Sequence, residues 1–265
     1  MATLSLLMWP FLACLLLILI HTWFGVHILE RGIIFVDLAL AQFISIGIAC
    51  SMLVGDYRTP LAIVFALFGA LILAMTRRIA RHVNVEAFIG VLYIFSFGVC
   101  SLILDRTAHG MEEFKAILNG SILWVTPEML GSTALLYGAV GLLHWFMRRQ
   151  FHDLTFKGEG PLWVEFLFFA SFALVLVKSV MIAGILQVFS FLVVPALLGR
   201  LFLRNTRQIL VAGWMAGTLS SSGGIAVSHF LDLPTAPVIV ASLALLFFVL
   251  LAIKVLFPRY INHGL

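Results

Sequence analysis

The sequence predicts an all-α protein, a polytopic membrane bundle of eight or nine transmembrane helices making one domain over residues 1–265. Three observations predict it. First, 63% of the residues are hydrophobic and 11% charged, with a mean hydropathy of +1.15, whereas a soluble domain carries about a quarter charged residues. Second, the apolar residues form long stretches that are apolar on every side, which favours helices over the shorter alternating strands of a barrel. Third, the basic residues gather in short connectors on alternate sides, as Lys and Arg do at the cytoplasmic face.

Apolar stretches run over 4–26, 32–54, 60–76, 86–104, 129–147, 162–177, 179–199, 208–230 and 236–257. Most approach or exceed the roughly 17–25 residues a helix needs to cross the hydrocarbon. The apolar run Leu4 to Ile20 has no basic residue before it and no small-residue cleavage pattern after it, so it reads as a retained span rather than a removed signal peptide. Nine crossings with the N terminus outside place Arg31, Arg77, Arg78, Arg81, Arg148, Arg149, Lys157, Arg200, Arg204, Arg207, Lys254 and Arg259 inside. Only Arg58, Arg106, Lys115 and Lys178 then lie outside. The count turns on 162–199, where Lys178 interrupts a very long apolar region: two crossings keep Arg148 and Arg200 on one side, and one long or broken helix separates them.

The segment 109–128, "HGMEEFKAILNGSILWVTPE", is too polar to cross. Phe114, Ile117, Leu118, Ile122 and Leu123 can form the apolar stripe of a surface-lying helix, with Trp124 at headgroup level, serving as an external cap or a gate. The net charge of +4 arises in the connectors and reflects topology, so no nucleic acid partner is expected. Cys14, Cys50 and Cys100 show no CxxC spacing and are expected to serve in packing.

Inside the spans a few polar residues stand out. Asp37 lies about five residues into the second stretch, in "GIIFVDLALAQFISIGIAC". A carboxyl in such a segment points to an ion site or a pathway; the alternative is local pairing, for which Arg31 is poorly placed, six residues away and about 240° around a helix. The position four residues beyond Asp37 on the same face is Ala41, which offers a cation nothing. Gln42 and Gln187 suit interhelical hydrogen bonds. Small residues recur at helical spacing at Ala41, Ser45 and Ala49, and again at Gly213, Gly217 and Ser221, where helices can approach closely.

Pro195, in "SFLVVPALLGR", is expected to kink its helix near the inner end and project the basic turn up to Arg207, a surface suited to docking another protein. His229 and Asp232 are three residues apart and share a helical face if the helix persists that far. Imidazole and carboxylate suit zinc, manganese or ferrous iron; the alternative is a cap and turn around Pro234. The other histidines, at 21, 27, 82, 109, 144, 152 and 263, match no metal-binding spacing.

Five segments resemble the permease subunit of the ABC importers for divalent metals, the zinc, manganese and iron chelate type: "ILERGIIFVDLALAQFISIGIA", "AFIGVLYIFSFGVCSLIL", "ILNGSILWVTPEML", "GILQVFSFLVVPALLGRLF" and "GGIAVSHFLDLPTAPVIV". The resemblance runs over almost the whole chain. It implies a divalent metal as cargo and matches Asp37 as a contact; His229, which with Asp232 is a candidate contact by spacing, stands where members of that family often carry an aromatic residue. In that family a His usually follows the Asp by four residues, and here Ala41 stands in its place. It further implies that 196–207 touch a cytoplasmic ATPase, with Pro195, Ala196, Arg200, Leu201 and Arg204 as docking residues. A second permease copy, an extracytoplasmic metal-binding protein and a bacterial plasma or inner membrane complete the expectation. The chain itself lacks GxxxxGK[ST], so ATP belongs to the partner subunit, and this chain is expected to bind no cofactor and to be no enzyme. An organic or chelated solute, a membrane scaffold and an intramembrane enzyme are the rival readings.

Overall fold

A computed structural model describes residues 2–256 apart from 56, 108 and 121, with the backbone alone for 2–6; Arg259 and His263 lie outside the described residues. Every regular element among them is helical: α1 (Ala2–Arg31), α2 (Val36–Val54), α3 (Arg58–Ala74), α4 (Thr76–Ile79), α5 (Val85–Leu104), α6 (Gly110–Asn119), α7 (Pro127–Phe146), α8 (Arg148–His152), α9 (Leu162–Phe202), α10 (Thr206–Leu231) and α11 (Thr235–Leu256). Among the described residues, eight helical segments are long and apolar enough to cross a membrane, so the polytopic all-α expectation stands. Local chemistry sets several ends. The Asn84 side chain accepts a hydrogen bond from Ala87 N at 3.0 Å, and Asn205 from Arg207 N at 2.9 Å, capping α5 and α10. Pro127 opens α7, where its missing N–H is no loss.

α9 has 41 residues, about 60 Å of helix and twice the roughly 30 Å of hydrocarbon. It is broken once, at Gly184, with φ 76° and ψ 165°. The break, six residues beyond Lys178, separates segments 162–183 and 185–202, each about one crossing long. Pro195 does not end the helix, which continues through it to Phe202 with helical dihedrals. The Gly184 conformation is open essentially to glycine alone. A Cβ there would also lie 2.7 Å from Leu118 O and collide with the Gly120 backbone. Gly184→Ala is therefore expected to lower thermal stability by at least the roughly 1–3 kcal/mol of such backbone strain. Gly138→Ala, in α7 with open space around it, should be neutral in the same detergent melt.

The chain divides into two compact units. One, Glu30–Gly120 with Leu135–Ile185, is built around α2. A Cβ on Gly47 would come within 2.7 Å of Ala62 Cα, and the Phe43 and Phe68 rings meet at 6.0 Å, so α3 runs antiparallel to α2 at close approach. α5 runs parallel to α2, with Ile46 and Ala49 packed on Cys100 and Leu104. The first half of α9 is antiparallel to α7, joined by Tyr137 Oη to Ser179 Oγ at 2.6 Å and His144 Nε2 to Ser171 Oγ at 2.7 Å. One end of this unit carries Arg31, Arg77, Arg78, Arg81, Arg148, Arg149 and Lys157, and the other Arg58, Arg106, Lys115 and Lys178. The structure thus sorts the basic residues as the positive-inside pattern requires. The polar segment forms α6, which stops at Gly120 (φ 65°); Ile117 is buried and Trp124, on the short 3₁₀ turn Ile122–Trp124, is exposed.

The other unit, Met1–Leu29 with Ser121–Ala134 and Leu186–Leu265, packs α1, the second half of α9 and α10 against one another. Cβ atoms on Gly213 and Gly217 would lie 2.8 Å from Thr22 Cγ2 and 2.9 Å from Ile18 Cγ2, so the small-residue stripe is the seam on which α10 meets α1. Val26, Ala196 and Ile209 close its core at one end, and Trp214 Nε1 donates to Leu19 O at 3.2 Å.

Candidate functional site

Asp37 sits in the first turn of α2, the most enclosed helix of its unit, and is 1% exposed. Neither carboxyl oxygen has a hydrogen-bond partner among the described residues. Its position is fixed from outside α2: Phe35 N donates to Glu86 Oε1 at 3.1 Å, so the first turn of α5 holds the start of α2. Ala41, on the same face, is also buried and brings no donor atom. Ser45 is satisfied within its own helix, donating to Ala41 O at 2.8 Å. Gln42 is buried, and its Oε1 has no partner among the described residues. The helix therefore presents one bare carboxyl in an apolar setting, and a cation or a polar passage is what such a group would receive.

Arg31 is not its counterion. The guanidinium of Arg31 forms an ion pair with Glu165, and Arg77 Nε approaches Glu165 Oε2 at 3.1 Å. Glu165 is 1% exposed in its side chain and Arg31 11%. The Phe168 and Phe169 rings lie 5.5 and 4.9 Å from the Arg31 guanidinium carbon. Arg77 reaches on to Gly160 O at 3.0 Å. This buried triad ties the end of α1, α4 and the start of α9 together and escaped the sequence reading. Its signal was Glu165 itself, a lone acid in the first turn of an apolar helix.

His229 and Asp232 do not share a helical face, because α10 ends at Leu231 and Asp232 is its left-handed C-cap at φ 52° and ψ 46°. Both residues are exposed. Ser228 organises the turn, accepting Leu233 N on its carbonyl at 3.0 Å and giving its hydroxyl to Leu233 O at 2.7 Å, with Thr235 Oγ1 at 2.6 Å. Asp37 belongs to the α2 unit and these two residues to the other. Among the described residues, no group of three or more His, Cys, Asp or Glu is placed to hold a metal ion.

The docking residues divide by depth. Pro195 and Ala196 are buried within their unit, Arg200 is partly buried and donates from Nη2 to Val26 O at 3.1 Å, and Leu201 O accepts from Lys254 Nζ. Arg204 is exposed and opens the fully exposed run 204–208.

A model of the ABC 3 transport family matches residues 3–254. A probable metal transport system membrane protein of Chlamydia pneumoniae is 24% identical over 229 residues, covering 81% of this chain and 78% of that protein. A probable iron transport system membrane protein of Haemophilus influenzae is 27% identical over 173 residues, 62% of this chain and 60% of that one. Among solved structures, PsaBC from Streptococcus pneumoniae in complex with Fab superposes with a TM-score of 0.76 at 20% identity, covering 92% of this chain and 90% of that one, a likeness of fold.

Proposed function

Because this chain belongs to the ABC 3 transport family, we propose that it is the multi-pass permease subunit of a bacterial ABC importer and that its cargo is a divalent metal cation of the zinc, manganese or iron class. The observation that carries the cargo assignment is Asp37, an enclosed carboxyl without a protein partner in a membrane-crossing helix. The names of the Chlamydia and Haemophilus relatives support it. ATP binding and hydrolysis fall to a separate cytoplasmic ATPase, since the chain has no phosphate-binding loop. An extracytoplasmic binding protein delivers the cargo, and a second permease copy completes the complex.

Reconstitution with the ATPase and binding protein in vesicles should give ATP-dependent uptake of at least one of Zn²⁺, Mn²⁺ and Fe²⁺. Uptake of a chelate or an organic solute with no uptake of free cations would transfer the assignment to the reading that Ala41 favours. Absence of any ATP-driven uptake would return it to a scaffold or an enzyme.

Docking of the ATPase is assigned to the exposed turn that begins at Arg204. Arg204→Glu should weaken ATPase binding by about tenfold or more, the 1.4 kcal/mol scale of one reversed interfacial charge, with an unchanged melting temperature. Arg200→Ala should instead lower stability, because Arg200 bonds α1 of its own chain. Unaltered ATPase affinity in Arg204→Glu, measured by titration in detergent, would remove this turn from the interface.

A further inference from the structure

The inner end of α7 carries a cluster that neither the cargo site nor the ATPase turn uses. α7 stops at Phe146, and Met147, at φ −96° and ψ 15°, turns the chain into α8 and then the π-helical turn Asp153–Lys157. One face of this segment is anchored inward. Phe151 is buried, its ring centroid 4.3 Å from His144 and 5.7 Å from Phe168. Leu154 is buried as well, and its carbonyl accepts from Arg77 Nη2 at 3.4 Å. With these residues turned inward, Arg148, Arg149, His152 and Lys157 are left exposed.

The exposed residues frame a cleft of about 480 Å³, lined by Arg148, Arg149, His152, Asp153 and Lys157. A second cleft of about 360 Å³ shares the two arginines and is lined also by Trp145, Phe146 and Gln150. The acid present is already engaged: Asp153 Oδ1 meets Lys157 Nζ at 2.8 Å and His152 Nδ1 at 3.6 Å. Among the described residues, no carboxylate pairs with Arg148 or Arg149. The Arg148 guanidinium carbon stands 5.7 Å from the Trp145 ring centroid, and Trp145 and Phe146 are both exposed at the end of a helix long enough to cross the membrane.

Exposed aromatic rings at the end of a crossing helix lie where headgroups meet acyl chains. Guanidinium groups just beyond them present forked donors that match phosphate oxygens. A small soluble anion would satisfy the arginines and leave the rings bare. A phospholipid covers both, with its phosphate on the arginines and its chains along Trp145 and Phe146. The basic end of this unit faces the inner leaflet by the positive-inside pattern, and anionic lipid there attracts juxtamembrane Lys and Arg. We infer that the paired clefts at the end of α7 bind an anionic glycerophospholipid, with Arg148 and Arg149 on its phosphate. Such a site is independent of the cargo.

The test offers phosphatidylglycerol and phosphatidylcholine of equal chain length to the full-length permease in detergent and reads the retained lipid by native mass spectrometry. The wild type should retain phosphatidylglycerol in preference. Arg148→Ala with Arg149→Ala should weaken that retention roughly thirtyfold, the effect of two juxtamembrane basic residues. The matched pair Arg78→Ala with Arg81→Ala, also exposed at this end but outside the clefts, should leave it unchanged. An excess of inorganic phosphate should leave the lipid bound. Phosphatidylglycerol with a photoreactive headgroup should crosslink within 145–157 of the wild-type chain, which decides the matter if the arginine variant fails to fold. Equal loss in the two paired variants would reduce the effect to the general charge of the inner face. Displacement by inorganic phosphate would make the cleft a soluble-anion site, and an arginine variant that loses ATPase affinity but no lipid would make it a protein contact. Any of these results, or crosslinks confined to other segments, would overturn the inference.

Discussion

Asp37→Asn is expected to lower cation uptake by about 10- to 100-fold, while the protein stays at least as heat-stable as wild type. The size follows from the roughly 1.5–3 kcal/mol that a charged partner adds to a polar contact, at about 1.4 kcal/mol per decade. The stability half of the expectation is what separates cargo binding from structure. Were Asp37 paired within the bundle, its loss would strand a partner and destabilise the fold by several kcal/mol. Neither of its oxygens has such a partner among the described residues, so an amide of the same size relieves a burial penalty and breaks nothing. Asp37→Leu should be more stable still and equally inactive, the exchange of function for stability found where a site is held against its own cost. Uptake in vesicles and melting in detergent, measured on both variants, check the two halves separately. Wild-type uptake in Asp37→Asn would take the carboxyl out of the pathway, and a large drop in melting temperature would reassign it to structure.

The sequence made the spans legible because transfer free energy is a local property: a stretch such as 208–230 reads as membrane-crossing whatever it packs against. The stripe Gly213, Gly217 and Ser221 was legible for a similar reason, since helical spacing alone puts small residues on one face, and the structure supplies α1 as what meets it. Contacts across the chain are of another kind. Arg31 and Glu165 are 134 residues apart, and no periodicity links them; only the antiparallel course of α3 and α9 brings Arg31, Arg77 and Glu165 to one end of the unit. Pro195 and Gly184 show the limit of local rules. The helical dihedrals of α9 persist through Pro195 and are interrupted at a glycine, whose φ of 76° sets it against the Gly120 backbone. For the candidate site, Asp37 was visible as a carboxyl out of place, but its lack of a partner was not. His229 and Asp232 depended on where α10 would end, and helix ends are the least local feature a sequence carries.

The greatest loss of stability is expected at Glu165. Its carboxylate is 1% exposed and faces two guanidinium groups, Arg31 at 11% and Arg77 at 32% exposure. Glu165→Ala would leave Arg31 enclosed against Phe168 and Phe169 with no counterion and another cation beside it. Removing one member of a buried pair costs about 3–5 kcal/mol, because the remaining charge stays desolvated. For a chain of this size that is a melting-temperature drop of roughly 10 °C. The pair itself need not be worth that much. Burying both charges is expensive, so replacing both by apolar residues of similar volume should recover most of the loss. Arg77 can survive the change, since it also donates to Gly160 O at 3.0 Å and is a third exposed. The double variant Arg31→Met, Glu165→Leu is therefore expected to melt well above Glu165→Ala and close to wild type. If the single substitution melts with the wild type, the triad is ornamental; if the double substitution is no better than the single one, Glu165 acts through something other than neutralising Arg31.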